Sequence, residues 1–358
     1  MTKYSFVRKY NTFVFFAVLT VAVLVVAKDI LIPMAWAFYF ALVTYPIANR
    51  LERWRFNRAM SSLTIVLLLL VLVLLLILFF SSELMGFTSD LTLTTERVRQ
   101  LVNENLRWIE RTFGVAVNSF DQYWKSGLEK LGSWLIHELG LLGASLSSIT
   151  LMFVYLFFFL YYRNLFVQFI TVSYSGEQLQ QVKDFALRSS KIASGYIRGT
   201  VVLTLLMAGL SLIVFWIFGV RQALFLAAFV AVLNIIPYVG NLIAFVVVFF
   251  ITYITKDSLG TALGVLGCLY GANLLQENLG RPLIVGSEMD INAFFVFVSV
   301  VIGSSIWGIS GMVLFIPVIA VIKIVLEMNP HWQAAAIFLG SGKPTPVTTA
   351  KTEIPTEK

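Results

Sequence analysis

Residues 61–80 read SSLTIVLLLLVLVLLLILFF, a run with no charge in it. A helix that crosses a bilayer needs roughly 20 such residues, and this run supplies them. The chain as a whole leans the same way. Of its 358 residues, 59% are hydrophobic and 13% are charged, where a soluble domain carries about 25% charged residues. A mean hydropathy of +0.87 is too high for a water-soluble globule. The sequence therefore predicts an all-α, polytopic helical membrane protein.

Charge orients the spans. Arg50, Arg53, Arg55 and Arg58 crowd one short segment against a lone Glu52, and dense Arg beside a span marks the cytoplasmic side. The start is basic too, at Lys3, Arg8 and Lys9, so the apolar stretches 11–27 and 30–48 cross out and back with Lys28–Asp29 at the outer surface. The run Phe13–Ala27 ends in those charges and not in a small-residue cleavage site, which argues against a cleavable signal peptide. Five parts follow: membrane helices over 1–83, an extracytoplasmic segment over 84–146, a membrane helix and a cytoplasmic helix over 147–198, a membrane transport core over 199–330, and a largely disordered cytoplasmic tail over 331–358. In the second part Val98, Leu101, Val102, Leu106, Ile109 and Phe113 recur at helical spacing, as do Phe120, Trp124, Leu128, Leu131 and Leu135. Two amphipathic helices outside the membrane fit that pattern. Arg163, Lys183, Arg188, Lys191 and Arg198 make 163–198 cytoplasmic, with a short amphipathic helix over about 177–195 that leads into the next span. Both termini are expected in the cytoplasm.

The last third is where polar groups enter the apolar sequence. Residues 222–254 are interrupted by Asn234-Ile-Ile-Pro237-Tyr-Val-Gly240-Asn241, and 292–327 by Gly303-Ser-Ser-Ile-Trp-Gly308-Ile-Ser-Gly311. Transporters build discontinuous helices from such breaks, and the freed backbone groups line a site. The plainer alternative is a tight turn between two packed helices. On a wheel of about 100° per residue, Gly260, Gly264, Gly267 and Gly271 fall within about 60° of one another, a seam of small residues for close helix approach. Asn273, Gln276, Glu277 and Gly280 lie opposite, with Arg281 at the margin. Glu277 and Arg281 are spaced to pair across one helical turn. The candidate solute or ion pathway is thus Asn234, Pro237, Gly240, Asn273, Gln276, Glu277, Asn278 and Arg281. Lys323 and Glu327 read as charges reaching out of a cytoplasmic helix end.

Other chemistries find no support. There is no G-x-S-x-G, H-E-x-x-H, P-loop or G-x-G-x-x-G signature, so neither an enzyme nor an ATP-driven pump is expected, and no cofactor. His137 and His331 are too far apart in sequence to suggest a metal site, and the lone Cys268 permits no intrachain disulfide. No basic-aromatic groove points to nucleic acid.

The run Asn234-Ile-Ile-Pro237-Tyr-Val-Gly240, the spacing Asn273-x4-Asn278-x3-Pro282-x3-Gly286, and the segment 294–327 together resemble the autoinducer-2 exporter family of bacterial permeases. Tyr45-Pro46-Ile47 with Leu51-Glu52-Arg53, and Tyr196-Ile197-Arg198-Gly199, fit the same pattern. The resemblance implies about eight membrane helices in the bacterial inner membrane, a homo-oligomer of pentameric type, and export of a small polar solute. Autoinducer-2, a quorum-sensing signal, is exported by some members, and others are sodium(lithium)/proton antiporters. For antiport, Glu277 or Asp290 would have to titrate. A third reading is a membrane scaffold that transports nothing and binds a partner through 84–146. The partners expected are membrane lipid, a small polar solute or monovalent cation, and further copies of the chain.

Overall fold

A computed structural model describes residues 3–83, 146–284 and 290–340. The amphipathic helices expected within 84–146, and residues 341–358 of the tail, lie outside the described residues. Helices α1 (Lys3–Val26) and α2 (Lys28–Arg53) form the expected pair about Ala27. After the turn Trp54–Asn57, α3 (Arg58–Glu83) carries the charge-free run. Helices α4 (Leu146–Tyr161) and α5 (Arg163–Ser173) meet at a bend of 56°. They are followed by α6 (Gly176–Ile217), α7 (Ala223–Leu233), α8 (Val239–Lys256) and α9 (Leu259–Leu275). A π-helical turn, Gln276–Gly280, continues α9 into the short α10 (Arg281–Ile284); α11 (Ala293–Glu327) and α12 (Gln333–Leu339) complete the described chain.

Six of these helices are long and apolar enough to cross a membrane, or seven if the bent pair α4–α5 is one span. Of the expected eight or so membrane helices, the described residues thus supply six or seven. Two apolar stretches are too short to count: Val14–Val26 and Ala223–Leu233. At 1.5 Å per residue an eleven-residue helix such as α7 spans about 16 Å, half the hydrocarbon thickness. The amphipathic helix expected over 177–195 leads into the next span without a break. The two form the 42-residue α6, because no proline interrupts the segment. The tail expected over 331–358 is helical at its start. Asn329 caps the 3-10 turn Pro330–Trp332 through the His331 N–H, and α12 follows.

Three apolar clusters hold the bundle. Ala37, Ala41 and Ala48 of α2 pack with Ile65 of α3 and with Phe153, Leu156 and Leu160 of α4. Arg163 anchors one end of this group: it pairs with Glu52 at 2.5 Å and lies 5.3 Å over the ring of Tyr45. A second cluster joins Tyr39 to Tyr196 and Ile197 of α6 and to Leu314 and Ile316 of α11. The third, around Met207, Phe215, Leu226, Val230, Val248, Val265 and Leu269, packs α6, α7, α8 and α9 together.

Both predicted breaks are real, and both are tight turns. In α11 the backbone leaves helical geometry at Trp307 and Gly308, where Gly308 has φ 58°. The two arms then approach so closely that a Cβ on Gly303 or Gly311 would overlap the other's backbone. The Trp307 indole N–H donates to the Leu24 carbonyl at 2.9 Å, and the Trp36 indole to Ser310 Oγ at 3.1 Å, which ties the turn to α1 and α2. The other break turns α7 back into α8 over residues 234–238.

Candidate functional site

The α7–α8 turn is built from the inside out. Ile236 N–H donates to the Leu233 carbonyl at 2.9 Å and Gly240 N–H to that of Ile236 at 3.2 Å. Gly240 sits so close to Leu233 that any Cβ there would overlap the Leu233 carbonyl. Only glycine permits that approach. Pro237 gives up a backbone donor and fixes its own φ. Asn234, one turn beyond Val230, is buried at the end of α7. At the tip Tyr238 projects outward, half exposed, with its ring 6.1 Å from that of Phe297 on α11.

The second polar element is the junction of α9 and the π turn. Ser258 caps α9 by accepting from the Thr261 N–H at 3.2 Å, and α9 then packs along α8. The Asn241 carboxamide N–H donates to Asn273 Oδ1 at 2.8 Å. This bond joins the two motifs that the sequence singled out separately. One turn on, Gln276 is 1% exposed. Neither its Nε2 nor its Oε1 has a hydrogen-bond partner among the described residues, and Asn241 Oδ1 is likewise buried and unsatisfied. Unpaired buried carboxamide atoms are costly, about 1–3 kcal/mol each. They mark a place able to bind a polar guest.

The π turn follows at once. Such turns take an extra residue into the helix and occur often at functional sites. Here the turn carries Glu277 beside Arg281. Arg281 Nε and Nη2 donate to Glu277 Oε2 and Oε1 at 2.7 and 2.8 Å, a two-pronged pair about a third exposed on each side. Tyr196 and Tyr238 lie within electrostatic reach of the same guanidinium. Arg281 thus stands between α6 and the tip of the α7–α8 turn.

Of the predicted pathway residues, Asn273, Gln276, Glu277 and Arg281 form one continuous polar strip. Pro237 and Gly240 shape the turn that faces it, and Asn234 ends the helix that leads in. Asn278 is elsewhere. It lies two turns from Gly271 and shares with Cys268, Gly271, Leu274, Leu275 and Leu279 the rim of an open, mostly apolar groove of about 580 Å³. The predicted glycine seam also differs from expectation. The buried residues of α9 are Ala262, Val265, Leu269 and Ala272, on the side that carries Asn273 and Gln276. A Cβ at Gly267 or Gly271 would meet nothing within 4 Å among the described residues, one at Gly260 only the Ser258 side chain at 3.9 Å, while one at Gly264 would come within 2.8 Å of the Phe218 ring. Within the described residues close approach through glycine occurs at Gly264 of the seam and, where turns demand it, at Gly240, Gly303 and Gly311. Lys323 departs from its reading as well. It is 7% exposed, because it pairs with Asp290 at 2.9 Å and with Glu327 at 3.1 Å beneath the end of α12.

Sequence reasoning noted Asn241 without placing it in the pathway, and it cited Tyr238 and Tyr196 within family motifs without giving either a place in the site. Asn241 carried a signal, as a polar residue in an apolar helix beside a proline. The two tyrosines carried none, because aromatic residues are common throughout this chain.

Residues 13–330 match the family described as AI-2E family transporter. The chain is 24% identical to YueF of Bacillus subtilis over 317 residues, which is 84% of each chain. It is 24% identical to MT0215 of Mycobacterium tuberculosis over 325 residues, 86% of each. The AI-2 transport protein TqsA of Escherichia coli is 22% identical over 320 residues, 87% of this chain and 90% of its own length.

Proposed function

The chain belongs to the AI-2E transporter family and is a multi-pass membrane transport protein, and we propose that it exports a small, neutral polar solute across the bacterial inner membrane at the junction of the α7–α8 turn and the π turn. The observation that carries this reading is the Asn241–Asn273 bond beside the unsatisfied Gln276 carboxamide. Carboxamides offer both donors and acceptors, so they suit a guest that carries hydroxyl or carbonyl groups. Asn234 ends α7 on the way to this place, and the Glu277–Arg281 pair borders it with no net charge. Autoinducer-2, the solute in the name of the Escherichia coli relative, is the first to try. The same reading takes the active form to be a homopentamer with both termini in the cytoplasm.

Cation/proton antiport is the rival within the class, and a scaffold without transport is the rival outside it. The carboxylates antiport would titrate are engaged: Glu277 with Arg281 and Asp290 with Lys323. That arrangement favours the neutral solute. The test is efflux of autoinducer-2 from proteoliposomes holding the full chain, with and without a sodium or proton gradient. Asn273→Leu should lower efflux at least tenfold while the protein still assembles. Sodium- or lithium-driven proton movement without autoinducer-2 efflux would give the place to the antiporter, and no flux of either kind would favour the scaffold.

A further inference from the structure

Tyr238 has a backbone conformation that a residue of its kind rarely adopts. Its φ is 63° and its ψ −59°, and the Val239 N–H donates across it to the Pro237 carbonyl at 2.7 Å. That is a γ-turn of the rare, strained hand. A left-handed φ is uncommon outside glycine, and for a bulky side chain it is an outlier. Strain of this sort persists only where the surroundings over-determine it, and such places cluster at ligand clamps and switch regions.

The surroundings here are on both sides. Behind the turn, Pro237 has a fixed φ, and Gly240 is pressed against the Leu233 carbonyl, so the chain cannot relax by shifting its base. In front, the tyrosine ring meets Phe297 edge to face at 70° between planes, and Arg281 lies within electrostatic reach of its hydroxyl. The ring therefore stands on the α7–α8 turn and rests against the first arm of α11, with Arg281, the residue after the π turn, within electrostatic reach. Tyr238 precedes by three residues Asn241, which bonds Asn273 one turn before Gln276, so the ring stands next to the polar strip those three form. The ring itself remains 53% exposed, so it can leave without disturbing a packed core.

We propose that Tyr238 is a two-position gate on the solute pathway, and that the strained γ-turn is its closed position. The inference rests on the reading of this junction as that pathway. In the closed position the ring rests on Phe297, within electrostatic reach of Arg281. In the open position residue 238 relaxes to negative φ, the Pro237–Val239 bond breaks, and the ring leaves Phe297. The backbone strain lowers the cost of opening, while the ring contacts restore closure after the solute has passed.

Three measurements on the full-length, reconstituted protein test this. With 3-fluorotyrosine incorporated, the fluorine signal that disappears in Tyr238→Phe should comprise two resonances, and Phe297→Ala should shift population toward one of them. A single resonance insensitive to Phe297→Ala would overturn the gate whatever the solute is. Next, Tyr238→Gly and Tyr238→Ala both delete the ring, but only glycine accepts the left-handed φ without strain. The glycine variant should melt at the higher temperature, and the reverse order would overturn the strained closed state. Finally, autoinducer-2 efflux should be faster in Phe297→Ala than in the wild type, since closure loses the contact that holds the ring; an unchanged rate would overturn the role of the ring in closure. Absence of autoinducer-2 efflux from the wild-type protein would overturn the choice of solute, and the fluorine and melting measurements would still decide the gate.

Discussion

Asn241 and Asn273 are 32 residues apart in sequence, yet their side chains make a carboxamide–carboxamide bond between α8 and α9. Hydrogen bonds between membrane helices average about 0.6 kcal/mol and reach about 1.7 kcal/mol in double-mutant cycles. The register here is fixed by a capped turn at Ser258, so neither partner can find a substitute by sliding. A cycle through Asn241→Leu, Asn273→Leu and the double variant, read by unfolding in detergent, should therefore give a coupling near the upper end, about 1–1.5 kcal/mol. Additive single effects would mean that the bond contributes no stability. The sequence disclosed Asn273 for a simple reason: a carboxamide in a glycine- and leucine-rich helix must face protein or water. It did not disclose the partner, because the pairing follows from how α8 and α9 align in three dimensions. Tyr238 was less legible still. Its left-handed backbone is imposed by Gly240 meeting Leu233, a contact that no spacing rule reports.

At the scale of elements, the glycines divide by what lies opposite them. The wheel drawn through 258–286 correctly set the glycines against Asn273 and Gln276, but it could not tell which side the rest of the chain would cover. The polar side won, because burying unpaired carboxamides against lipid would cost more than leaving glycine exposed there. The breaks at Pro237–Gly240 and Gly303–Gly311 were legible because glycine and proline inside an apolar run have few other uses. Their closeness was not. Gly303→Ala and Gly311→Ala should each destabilise the protein by about 1–3 kcal/mol, the usual cost of forcing atoms into a filled space. Gly267→Ala meets open space and removes a flexible residue from a helix, so it should be neutral or stabilise by up to about 1 kcal/mol. Thermal melting of the three variants side by side checks this. A loss at Gly267 equal to that at Gly303 would mean that another surface, lipid or a second copy, presses on the glycine face of α9.

For the whole molecule, charge counting assigned sides to segments one at a time, and the fold joins those segments physically. The Glu52–Arg163 pair brings the arginine-rich turn after α2 to the junction of α4 and α5, two stretches that the sequence had independently placed in the cytoplasm. At the far end, Lys256 Nζ lies 3.2 Å from where a Cβ of Gly219 would be, so the α6–α7 and α8–α9 connections share one surface. A helix as long as α6 covers about 63 Å at 1.5 Å per residue, roughly twice the hydrocarbon core. Its polar first half, with Lys183, Asp184, Arg188 and Lys191, therefore extends into water on the arginine side, and Phe218 marks the opposite face. Orientation then becomes testable without reference to transport. Cys268 is exposed on α9 and must first be replaced, by Cys268→Ser. In that background single cysteines at Arg221 and Asp257 should react with an impermeant thiol reagent from the extracytoplasmic side of intact inner membranes. A cysteine at Asn57 should react only after the membrane is opened. If Asn57 alone labels from outside, the whole molecule is inverted relative to its charge bias. If Asn57 and Arg221 label together, the two ends of α6 do not lie on opposite sides, and the bundle would have to be threaded differently.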